Sequence, residues 1–137
     1  MSARSESKAR AAGENSPTIH HSELATDLGG KVSTSQYIAR FQFAKRGRTF
    51  GTEFEGVIKI REMRVQFRGL PLTFWHGFAQ ITHKQADRQF LDDHCADPET
   101  SIVVHRQDGR RGRGVCVARE IEGSDFNMAI AGVESFS

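Results

Sequence analysis

The chain's 137 residues, 37% of them hydrophobic and 26% charged, suffice for one small domain with a core. Its 19 basic and 17 acidic groups leave a formal net charge of +2, which excludes a histone-like protein and an acidic solvating tail. No apolar run reaches the roughly 18 residues of a membrane-spanning helix, and Met1 to Ser16 lacks the apolar stretch of a secretory signal.

Two cysteines, Cys95 and Cys116, are too few for a disulfide scaffold and read as free thiols, although spacing alone does not exclude a single bridge. A cytoplasmic or other reducing compartment is expected, with no secretion and no membrane partner.

In chain order, residues 1–18 are small, polar and unpatterned, and read as a disordered arm preceding a single β-rich domain over 19–137. Ser22 to Leu28 predicts one short helix, with Ser22 as N-cap and Gly29-Gly30 as its stop. From Tyr37 the period becomes two: Tyr37, Ala39, Phe41 and Phe43 share one face of a strand that ends in a turn at Lys45-Arg46-Gly47-Arg48.

Gly56, Ile58 and Ile60 share one parity, Met63, Val65 and Phe67 the other, and Leu70, Leu72 and Phe74 return to the first. Two-residue turns at Arg61-Glu62 and Arg68-Gly69 would put all nine on one face of a three-stranded meander. Arg-Glu takes positive φ poorly, so the competing reading is one long strand that shifts parity near Arg61. The meander's polar face would carry Glu55, Lys59, Arg64, Gln66, Thr73 and Trp75.

Residues 80–95 read as a helix through Ile81, Arg88, Leu91 and Cys95, with an acidic end that opposes the helix dipole. Ile102-Val103-Val104 and Val115 to Ala118 are strands joined by a basic loop over 108–114, and a last strand runs from Met128 to Val133. The expected fold is α+β, mostly β: an antiparallel sheet or small barrel of about six to seven strands with one intervening helix. Phe41, Phe43, Phe54, Phe67, Phe74 and Phe78 are its expected core aromatics.

The near-neutral total hides blocks of charge. Residues 35–68 carry eight basic and three acidic groups, and residues 105–119 carry five arginines and one aspartate. Residues 83–99 and 120–137 are acidic in balance. The two basic blocks hold 11 of the 14 arginines, a bias toward phosphate or carboxylate recognition.

In the loop, Arg106, Arg110, Arg111 and Arg113 are interleaved with glycines, which let backbone approach a phosphate closely. Lys45, Arg46, Arg48, Lys59, Arg64 and Arg68 form a second set, and Trp75 could stack on a base beside them. If both sets share one side, the protein is a nucleic-acid-binding accessory factor, more naturally for RNA or single strands. Gly109 to Gly112 has the spacing of a KH loop, but strands rather than helices flank it.

The alternative is a viral or phage-type assembly protein, a homo-oligomer joined through edge strands and opposite-charge patches. His83, Asp87 and His94 could share a helix face, but they lack zinc-site spacing, so no metal or other cofactor is expected. No nucleophile elbow, phosphate loop or dinucleotide fingerprint occurs, and the chain is not expected to be an enzyme.

Overall fold

The computed structural model describes residues 31–137, so the expected arm over 1–18 and the helix over Ser22–Leu28 lie outside the described residues. The elements are β1 (Lys31–Lys45), β2 (Arg48–Phe67), β3 (Leu70–Thr82), a single 3-10 turn (Gln85–Asp87), α1 (Arg88–Ala96), β4 (Thr100–Arg106), β5 (Arg111–Glu122) and β6 (Asp125–Glu134). The six strands close in the order β1-β2-β3-β6-β5-β4, and β4 pairs back onto β1 with antiparallel register, Ala39 opposite Arg106 and Lys45 opposite Thr100. The mostly-β, antiparallel expectation with one short helix therefore holds. Closure removes open edges from the barrel ladder.

The described chain divides into two compact units, residues 36–60 with 75–137 and residues 31–35 with 61–74. In the first, alternation places side chains as the period-two pattern requires. Ala39, Phe41 and Phe43 are buried on β1 and Ile58 and Ile60 on β2, joined by Ile102 and Val104 of β4 and Phe126, Met128 and Ile130 of β6. The two-residue turns Arg46-Gly47 and Arg68-Gly69 have positive φ at both positions (53° and 79° in each), the backbone hand that matches strand twist.

Four sequence expectations are corrected. First, β2 runs unbroken through Arg61-Glu62, so the long-strand reading replaces the three-stranded meander. A turn there would have forced two side-chain-bearing residues into positive φ with no glycine to relieve them.

Second, the second half of that supposed common face is not buried. Phe67, Leu70, Leu72 and Phe74 are exposed. On β3 the buried positions are odd, Trp75, Gly77, Ala79 and Ile81, whereas the hairpin's apolar Leu70, Leu72 and Phe74 are even; on β2 the buried Ile58 and Ile60 are even and the hairpin's Met63, Val65 and Phe67 odd. Phe78 is outward for the same reason, and Trp75 is inward.

Third, the helix is shorter than 80–95. The alternation of β3 continues to Thr82, so Ile81 is a barrel residue, and α1 buries only Leu91 and Cys95. Its acidic flank finds partners: Asp92 pairs with Arg119, and Asp97 accepts hydrogen bonds from Lys45 Nζ, Thr100 Oγ1 and the Glu99 N–H (3.0, 3.0 and 2.9 Å).

Fourth, the basic loop is only a turn at 107–110, and Arg111 to Gly114 belong to β5. Gly112 and Gly114 are there for packing. A Cβ at 112 would lie 2.9 Å from the Phe136 ring, and one at 114 would lie 2.6 Å from the Ala131 carbonyl oxygen. They admit neighbouring chain rather than a phosphate.

Candidate functional site: an outer sheet face

The two basic turns open from opposite ends of the barrel. Lys45 leads into the Arg46-Gly47 turn beside Thr100, while Arg106 leads into the Arg110 turn beside Ala39. Between those register points lies about 20 Å of strand. Lys45, Arg46 and Arg48 therefore do not join Arg110 and Arg111 in one continuous patch.

Lys45 is also engaged with Asp97, and Arg113 with Glu134 (3.2 Å). Arg64 and Arg68 are exposed on the 61–74 hairpin, where the Arg68 guanidinium sits 5.4 Å from the Phe67 ring centre.

Two sequence candidates are interior. Trp75 is 5% exposed, packs at a tilt against Phe136 with ring centres 4.7 Å apart, and donates its indole N–H to the Glu134 carbonyl oxygen (2.9 Å). No base can reach it. Arg106 is buried between the rings of Tyr37 (3.8 Å) and Phe136 (4.9 Å), and its guanidinium hydrogen-bonds Asp108. That pairing holds the Asp108 carboxyl below the usual carboxylate range. A guanidinium so enclosed anchors the chain end and offers nothing to a ligand.

Lys59 is outward on β2 and borders a groove of about 540 Å³ on the barrel's outer face. Cross-strand register builds this groove. Phe78 lies opposite Ala129, which lies opposite Ala118, and in the adjacent row Gln80, Asn127 and Glu120 align across the same three strands. The alanines and Val57 keep the floor low, so the Phe78 ring stands above it, 60% exposed and met edge-on by His76.

Gln36, Gln80 and Asn127 supply amide donors and acceptors, Lys59 a positive charge and Glu120 a carboxylate, while Arg119, opposite the inward Met128, turns from this face to Asp92. An exposed aromatic face, amides at its margin and a nearby ammonium together suit a planar, anionic ligand.

Sequence reasoning placed Lys59 outward correctly but missed Phe78, Gln80, Gln36 and Asn127. The missed signal was the alternation of Trp75, Gly77, Ala79 and Ile81, which puts 78 and 80 on the outside.

Among the described residues, no group of three His, Cys, Asp or Glu could hold a metal ion. His94 is instead packed among Phe90, Phe50 and Phe43 (ring centres 4.4, 4.9 and 5.5 Å away), and His83 is buried against Phe126. No helix among the described residues is long and apolar enough to cross a membrane. No family model, curated protein or solved structure is significantly similar to this chain.

Proposed function

We propose that the protein binds single-stranded nucleic acid, RNA or DNA, across the outer face of β2, β3, β6 and β5. The observation that carries this reading is the exposed Phe78 ring over an alanine floor, with Lys59 and three side-chain amides around it. A base stacks on Phe78, its edge meets Gln80 and Asn127, and Lys59 holds a phosphate. Arg111 and Arg113, outward on β5 along the same face, extend the positive track toward the barrel end. Lys45, Arg46, Arg48, Trp75 and Arg106 have no part in it.

The test is fluorescence anisotropy with a labelled oligouridine and oligothymidine at several salt concentrations. Phe78→Ala is expected to weaken binding roughly 5- to 100-fold, from a stacking contribution of about 1–3 kcal/mol. Lys59→Ala is expected to reduce the salt slope by about one unit. Absence of salt-dependent binding, or an unchanged affinity in Phe78→Ala, refutes the proposal.

Self-assembly is the second reading, and one observation favours it: Phe67, Leu70, Leu72 and Phe74 expose an apolar face on the 61–74 hairpin. The barrel's own strand edges are not available for it, since the ladder closes. Light scattering of Phe67→Ser/Phe74→Ser against the parent chain separates the two readings.

A further inference from the structure

Cys95 and Cys116 are far apart in sequence and adjacent in the barrel unit. Cys95 is on the inner side of α1, buried, with its thiol against Met128 Sδ at 3.3 Å. Cys116 is half-buried on β5, next to the register shift between Cys116 and Ala118, and its thiol donates to the Ala118 carbonyl oxygen at 3.4 Å. Cys116 lies opposite Ile130 on β6, two residues from the Met128 that the Cys95 thiol touches, so the two thiols meet on the same inward row; both are free.

We propose that this pair is a redox modification site, in which a hydroperoxide converts the two thiols into a disulfide joining α1 to β5.

The environment assigns the roles. Cys116 is the partly accessible sulfur, and the hydrogen bond from Cys95, helped by the Arg119 charge, favours its thiolate. Cys95 is pushed the other way, by the same contact with Cys116 and by burial, and stays a thiol. The Cys116 thiolate attacks the distal peroxide oxygen. The O–O bond breaks, the sulfur becomes a sulfenic acid, and hydroxide or alkoxide leaves and takes up a proton. Cys95 sulfur then attacks the sulfenic sulfur. The S–S bond forms, the S–O bond breaks, and the hydroxyl leaves with the Cys95 proton as water. Two thiols are oxidised by two electrons, and one peroxide is reduced.

The bond would form two residues before Ala118, which lines the outer groove.

The experiment treats the reduced full chain with hydrogen peroxide and follows intact mass and peptide maps. The expected product is an intramolecular Cys95–Cys116 disulfide, a loss of about 2 Da reversed by dithiothreitol. In Cys95→Ser, Cys116 is expected to accumulate a sulfenic acid trapped by dimedone, about tenfold or more faster than Cys95 is labelled in Cys116→Ser. The unmodified chain carries the decisive readout, so poor folding of a variant does not obscure the result. Oxygen addition to Cys116 without disulfide, an intermolecular disulfide instead of the internal one, or equal labelling of the two single-cysteine variants would overturn the proposal.

Discussion

The β2–β3 ribbon carries apolar alternation along its whole length, yet its two portions use it differently. In the barrel portion, Ile58 and Ile60 of β2 and Trp75, Ala79 and Ile81 of β3 are almost fully enclosed. In the 61–74 hairpin, Phe67, Leu70, Leu72 and Phe74 show the same spacing and retain between 38% and 63% of their exposure. The difference is one of parity. The hairpin's apolar residues occupy the opposite parity from the ribbon's buried positions on both strands, so they are not an extension of the core. Periodicity identifies a strand and sorts its faces, but burial requires something to cover the face.

The largest expected effect is therefore a contrast in unfolding free energy by urea titration. Phe41→Ala and Phe126→Ala, each at a fully enclosed ring, are expected to cost about 3–5 kcal/mol. Phe67→Ala and Phe74→Ala are expected to stay within about 0.5 kcal/mol. Equal costs in the two portions would mean that the hairpin face is covered in solution.

Next in size are the packing glycines. Gly114→Ala sets a methyl group against the Ala131 backbone, and Gly132→Ala sets one about 2.3 Å from the Trp75 indole nitrogen. Each is expected to lose about 1–3 kcal/mol by the same titration. Gly69→Ala in the hairpin turn meets no neighbour, and is limited to the smaller conformational cost of its positive φ.

Trp75→Phe keeps the ring in the barrel but strands the Glu134 carbonyl, an expected loss of about 1 kcal/mol.

The smallest effect is electrostatic. Asp97, held down to about 2 by the Glu99 N–H, Lys45 and Thr100, binds its proton less readily folded than unfolded. Its contribution is fully present above about pH 4 and is lost as the pH falls through about 2. Asp97→Asn is expected to flatten that acid limb in a pH series of thermal melts.

Much of the barrel could be read from the chain because its signals are local. Tyr37 to Phe43 alternates cleanly, and Arg46-Gly47 and Arg68-Gly69 each offer a glycine where positive φ is needed. Ile81 was harder, because a single isoleucine fits both a strand that continues from Trp75 and a helix that begins at residue 80.

The binding face was mostly hidden for another reason. Its floor is made of Ala118 and Ala129, unremarkable residues whose meaning comes only from lying opposite Phe78 across three strands. Arginine counting likewise could not tell that Arg106 is enclosed by two rings, or that the two basic turns open from opposite barrel ends.

Ultraviolet cross-linking of a short 4-thiouridine oligonucleotide to the intact chain, followed by peptide mapping, tests the proposed face most directly. Cross-links are predicted on the peptides holding residues 57–59, 76–80 and 127–131. Cross-links confined to the Arg46–Arg48 turn or to the 61–74 hairpin, or none at low salt, would contradict the account.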